Sequence, residues 1–116
     1  MVDDNKDIVE LLTHLFEDEG YEVISANCGE ECLEKIEENN VHLVILDMLL
    51  PDFSGADVLK RIRGDKKNHL VKVLMLTAFN IGKEAEEKLI SEGVDGIMTK
   101  PVPIGKLLQW VETEVR

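Results

Sequence analysis

The chain has 116 residues, 44% of them hydrophobic and 4% aromatic, with a formal net charge of −11 at pH 7. That length is enough for about one domain with one core, and the acid excess repels a phosphate backbone, which excludes direct binding to nucleic acid. Cys28 and Cys32 lack a second pair at metal-ligand spacing, no apolar run approaches the roughly 18 residues of a membrane span, and no charged-then-apolar leader opens the chain. A cytoplasmic protein with no membrane partner is expected.

From the amino end, Met1-Val2 is a strand stub that delivers Asp3 and Asp4. Ile8, Leu11, Leu12 and Leu15 predict a helix over 6–19, with Val9 and Phe16 at the shoulder of its stripe. A strand-like stretch at 22–25 follows, then a helix at 29–39. The continuous apolar run over 42–46 ends in Asp47. After Pro51 and Gly55 come a helix at 55–64 and a strand at 71–76, which ends in Thr77. A helix at 83–92 and a strand at 95–98 lead to Lys100-Pro101. Ile104, Leu107, Leu108, Val111 and Val115 mark a last helix over 104–115, with Trp110 off its apolar axis and open to solvent.

Buried strands alternating with amphipathic helices predict one α/β domain over 1–116, a doubly wound parallel sheet with helices on both faces. In the order 2-1-3-4-5 the stub lies inside the sheet, and any ligand sits at the carboxyl ends of the strands. So short a first strand leaves ladder groups of both neighbours unpaired unless the stub itself does the pairing or the sequence starts inside a longer protein.

Asp3, Asp4 and Asp47 all end strand-like segments, so folding gathers three like charges in one cleft. Unless they share protons, such a group calls for a cation, and an all-oxygen, water-retaining shell suits Mg²⁺ or Mn²⁺ better than Zn²⁺. Thr77 and Lys100 end two further strands. Taken singly, an aspartate after a strand is commonly a turn or cap residue, Lys100 a surface lysine and Thr77 a strand terminus. Together they meet the demands of phosphoryl transfer, an in-line nucleophile and positive charge around the equatorial oxygens. Asp47 supplies the carboxylate nucleophile. Lys100 pairs with one phosphoryl oxygen, and the Thr77 hydroxyl with the neighbouring Ala78 amide binds another.

The fragments Val2-Asp3-Asp4-Asn5, Leu46-Asp47-Met48-Leu49-Leu50-Pro51-Asp52 running to Gly55, Leu76-Thr77-Ala78 and Thr99-Lys100-Pro101 resemble the receiver domain of two-component response regulators. That resemblance covers essentially the whole chain apart from the clipped first strand, and it implies a flavodoxin-like fold. It implies that Asp47 accepts a phosphoryl group from a sensor histidine kinase in a self-catalysed reaction. It also implies metal ligation by Asp4, Asp47 and the Leu49 main-chain carbonyl, with Asp3 acting through water, and a cis peptide before Pro101 that aims Lys100 into the site.

Two departures from the family pattern bear on switching and lifetime. Ile97 stands where receivers carry an aromatic ring or histidine, so switching is expected through Thr77, Phe79 and the helix near 83–92, with little from Ile97. Leu49 and Phe79 flank the attacking water in relatives and cannot orient it by hydrogen bonding, which predicts slow self-hydrolysis. By resemblance, Val9, Phe16, Pro103 and Ile104 are candidate kinase contacts, and Trp110 a candidate contact for a downstream protein effector. A magnesium-dependent phosphatase with an aspartate nucleophile would need an acid at Leu49, and a flavin module would need a phosphate loop where Asp3-Asp4 stands. A receiver-like scaffold that is never phosphorylated is the remaining alternative.

Overall fold

The computed structural model describes every residue except Asp4, Pro51, Lys66, Asn68, His69, Phe79, Asn80 and Arg116. Its elements run α1 (Lys6–Asp18), α2 (Gly29–Glu38), β1 (Leu43–Asp47), α3 (Gly55–Gly64), β2 (Lys72–Thr77), α4 (Gly82–Ser91), β3 (Gly96–Thr99) and α5 (Ile104–Val115). Helix starts are set by local chemistry. The Asn5 side chain accepts from the amides of Asp7 and Ile8, and the Ser54 hydroxyl accepts from Asp57, which satisfies amides that the first turn leaves without partners. Past α4 the chain turns through Gly93 at φ 103°, a left-handed conformation that glycine adopts without strain.

β1, β2 and β3 form a parallel sheet in that order. Alternate strand residues enter opposite cores, as the two-residue period requires. Val44, Leu46, Val73 and Met75 pack with Ile36, Leu59 and Leu89 from α2, α3 and α4. Ile45, Leu74 and Leu76 pack with Leu12, Phe16, Leu107 and Val111 from α1 and α5. Helices therefore cover both faces, as expected.

Val2 bridges Ala26 on one side and Leu46 on the other, both in parallel, so the stub holds the inner place that the order 2-1-3-4-5 gives it. The expected strand at 22–25 does not form; Ala26 makes a bridge and 21–25 is without regular pairing. Met1 and Val2 offer that segment a short run of bonds, from the Met1 amine to the Ile24 carbonyl at 2.8 Å and from the Ala26 amide to the Met1 carbonyl at 2.9 Å. Beyond Met1 a groove of about 490 Å³ opens between 21–26 and β1, floored by Phe16, Ile36 and Val111.

Two surface expectations are corrected. Val9 and Phe16 are core residues, 9% and 4% exposed, while Leu11 is 52% exposed. The buried set Val9, Leu12 and Phe16 is itself spaced i, i+3, i+7, and Ile8 and Leu15 pack half-buried beside Leu12 and Phe16, so α1 has one wide core face that leaves Leu11 outside. Trp110 is half-buried and lies across Gly96, where an added Cβ would come 2.7 Å from Cζ2 of the indole. Its off-axis position turns the ring onto β3 because glycine there leaves room. Pro103 and Ile104 are exposed.

Candidate functional site

The sheet register brings the chemistry-bearing residues to one edge. Asp47 pairs with Leu76 and Thr77 with Thr99, so β1, β2 and β3 end side by side. Main-chain bonds carry the alignment past the strand ends. The Met48 amide donates to Leu76 at 2.9 Å, the Lys100 amide donates to Thr77 at 2.7 Å, and the Asp47 amide donates to Val2 at 2.9 Å. The last of these fixes the stub against β1, and with it the position of Asp3.

Asp3 is 1% exposed and Asp47 7%. Buried carboxylates are costly unless partnered, and each of these has two kinds of donor. Lys100 Nζ lies 2.9 Å from Asp3 Oδ2 and 3.3 Å from Asp47 Oδ2. Asp3 Oδ1 accepts from the Asn5 amide at 2.9 Å, and Asp47 Oδ1 from the Leu49 amide at 3.2 Å. Two carboxylates against one ammonium leave an excess of negative charge. Burial, joined by the charge of Asp3, pushes the Asp47 carboxyl above its ordinary value, while the Leu49 amide and Lys100 pull the other way. Burial likewise opposes the Lys100 ammonium, yet its bonds and charge interactions with Asp3 and then Asp47 prevail, and its pKa is raised.

Of the expected site residues, Asp3, Asp47 and Lys100 meet directly. Thr77 is buried at the adjoining strand end and Ala78 is exposed beside it. Leu49 is 59% exposed after the strand, joined to Ser54 by an antiparallel bridge. Ile97 is half-buried and packs against the α2–α4 core. The Lys100–Pro101 peptide is cis. Asp4 and Phe79 lie outside the described residues. Among those described, no three acidic, imidazole or thiol groups gather at one point. The oxygens that do converge, two carboxylates whose charge one ammonium does not balance, fit a hard cation such as Mg²⁺ or Mn²⁺.

Sequence reasoning gave no role to Asp52. Its carboxylate accepts from the amides of Gly29 at 2.8 Å and Glu30 at 3.0 Å, at the start of α2, and from Phe53 at 2.9 Å. Chiefly because of the Glu30 amide, its pKa is lowered to about 2. The one local signal was an aspartate beside a proline, which predicts a turn but not a partner 23 residues away.

The fold is flavodoxin-like, of the class seen in CheY-type proteins, with its polar residues gathered at the carboxyl ends of a parallel sheet. The family model "Response regulator receiver domain" matches residues 1–112, and the chain belongs to that family. It is 42% identical over 102 residues to the alkaline phosphatase synthesis transcriptional regulatory protein PhoP of Bacillus subtilis, covering 87% of this chain and 41% of that protein. It is 29% identical over 113 residues to the polar-differentiation response regulator DivK of Brucella ovis, covering 97% and 91%. The solved receiver domain of the Francisella response regulator 1452 superposes with a TM-score of 0.90 at 28% identity, covering 98% of this chain and 92% of that one. Receiver domains are phosphoacceptor switches in two-component signalling and are not generally classed as enzymes. No helix among the described residues is long and apolar enough to cross a membrane.

Proposed function

We propose that the 116 residues act as one receiver domain whose Asp47 accepts a phosphoryl group from the phosphohistidine of a sensor kinase. The observation that carries this reading is the placement of the Lys100 ammonium between the buried carboxylates of Asp3 and Asp47, at 2.9 and 3.3 Å. An Asp47 carboxylate oxygen attacks phosphorus in line. The phosphorus–oxygen bond forms as the phosphorus–nitrogen bond breaks, and the electron pair leaves with the imidazole. Lys100 turns from its carboxylate partners toward an equatorial phosphoryl oxygen, and the Thr77 hydroxyl with the Ala78 amide receives another. Asp4, Asp47 and the Leu49 carbonyl, with Asp3 acting through water, would hold Mg²⁺ or Mn²⁺, which would supply positive charge against the charge on the transferring group.

Phosphorylation adds a charge of about −1.5 to −2 to a pocket already rich in acid, and that change biases a two-state equilibrium in the loops beyond Thr77. Thr77, Phe79 and α4 carry the change, with a minor part for Ile97, to a downstream protein effector in the cytoplasm. Leu49 offers no base to an attacking water, so the aspartyl phosphate hydrolyses slowly. A lifetime of seconds would count against that last point.

The test is incubation with acetyl phosphate and Mg²⁺, followed by intact mass measurement. Addition of one phosphoryl mass to the wild type and none to Asp47→Asn is the expected result. Equal labelling of both proteins, or of neither, overturns the assignment.

A further inference from the structure

The segment that follows Asp47 is fastened at its root and again near its tip. At the root the Gly55 amide donates to the Met48 carbonyl at 2.7 Å, and Leu49 bridges Ser54. Near the tip, Asp52 grips the first turn of α2 through the Gly29 and Glu30 amides. α2 has no cap of its own, since Cys28 at the N-cap makes no side-chain capping bond. Stabilising the helix alone would ask for a Ser, Asn or Asp at position 28. Here the capping carboxylate comes from the loop, so one set of bonds closes the helix end and ties down the loop. Phe53 seals the same junction. An added Cβ on Gly29 would fall 2.7 Å from the Phe53 ring, and the Arg61 guanidinium covers that ring at 4.3 Å from its centroid.

The fastened loop carries Leu49, whose amide holds Asp47 Oδ1 at 3.2 Å. We propose that Asp52 is a positioning residue for the phosphoryl-accepting site, tying the loop from Met48 to Ser54 onto α2 and so holding the Leu49 main chain against Asp47. This rests on the reading of Asp47 and its cation given above. Because its pKa is lowered to about 2, chiefly by the Glu30 amide, Asp52 stays ionised and the tie persists through the whole neutral range. α2 thereby becomes mechanically continuous with the site, although it supplies no group to it.

Three variants test the assignment in the full chain. Asp52→Ala removes the tie. Asp52→Asn keeps one oxygen acceptor and loses the other. Ile36→Val weakens the buried side of α2 without touching the loop. Nuclear magnetic resonance of the metal-free proteins reads the amides of Asp47 and Leu49, and titration with MgCl₂ alone reads cation affinity. Asp52→Ala should shift both amides and weaken Mg²⁺ binding by about tenfold, the scale on which loss of a supporting contact acts on a metal site. Its acetyl phosphate reaction should recover at saturating Mg²⁺, and Asp52→Asn should fall between it and the wild type. Ile36→Val should match the wild type in all three readouts. Wild-type affinity and unshifted amides in Asp52→Ala, or an equal loss in Ile36→Val, would overturn the inference alone. A wild type that takes neither Mg²⁺ nor phosphoryl overturns the reading beneath it.

Discussion

The two ends of the sheet are built to different standards. At the carboxyl ends main-chain bonds to β2 carry β1 and β3 on into their next residues, Met48 and Lys100, and the buried acids share a lysine. At the amino ends the β2–β3 side is clamped. Arg63 donates to the carbonyls of Gly93 and Val71 and to Asp95, and Asp95 in turn takes the Val73 amide. The β1 side is open. Even-numbered residues of β1 and its flanks face β2, as the Lys72-to-His42 and Met48-to-Leu76 bonds show, so Leu43, Ile45 and Asp47 face the stub. Val2 serves the Ile45 carbonyl and the Asp47 amide, and the groove lies alongside the Ile45 amide and the Leu43 carbonyl. Val2 thus fixes Asp3 beside Asp47 at the carboxyl end, while the groove lies away from both acids, toward the amino end of β1.

The largest expected effect tests that division. A four-residue apolar extension ahead of Met1, alternating so that its side chains enter the two cores, should pair with both 22–24 and β1. Two newly buried side chains and the added ladder bonds should raise stability by about 3 kcal/mol in urea unfolding. A proline-containing extension of equal length should give little. Phosphoryl acceptance should change far less than stability in either protein, and a parallel rise in both would erase the distinction between the two ends.

Gly55→Ala probes the opposite end. A Cβ there would lie 2.6 Å from the Asp47 carbonyl oxygen and 2.8 Å from Met48 Cα, both main-chain atoms that cannot yield cheaply. A loss of about 2 kcal/mol is expected from overpacking, together with slower phosphorylation because Asp47 itself must move. Gly64→Ala is the contrast. Nothing lies within 4 Å of its added Cβ, and this last residue of α3 should gain about 0.5–1 kcal/mol from helix propensity. Equal behaviour of the two glycines would mean that the loop root is looser than its distances imply.

The amino-acid sequence carries the carboxyl end of the sheet more plainly than the amino end. Asp47, Thr77 and Lys100 were legible because each ends a strong periodic segment, and parallel register then leaves them side by side. All five helices were legible from their apolar spacing. The lack of regular pairing over 22–25 could not be read from that segment, because pairing depends on what lies alongside it and its own residues say nothing about that. Val9 and Phe16, named as contact candidates by resemblance, are buried, because α1 has one wide apolar face: Leu12 and Phe16, with Ile8 and Leu15 beside them, pack on Ile45, Leu74 and α5. Asp52 was invisible because its bonds reach a helix 22 and 23 residues earlier in the chain.

Two smaller effects bear on the charge held at the carboxyl end. With Mg²⁺ at ten times its dissociation constant, binding to the native state alone should add about 1.4 kcal/mol of stability, and most of that gain should vanish in Asp47→Asn.

The smallest effect concerns protons. An acid whose native pKa is raised binds its proton more tightly folded than unfolded. As pH climbs from the ordinary value of 3.8 toward the raised one, the native state holds more protons and metal-free stability falls. The slope integrates to about 1.4 kcal/mol per unit of displacement. Lys100 cannot mask it, since the stability from its raised pKa is fully present below the ordinary 10.5 and is lost only as pH rises through the native value. Metal-free urea unfolding across the mildly acidic range should therefore show wild-type stability declining relative to Asp47→Asn, and Mg²⁺ should reverse the decline. Parallel curves for the two proteins would mean that Lys100 and the Leu49 amide already balance Asp47, and that the excess negative charge at this end of the sheet resides on other groups.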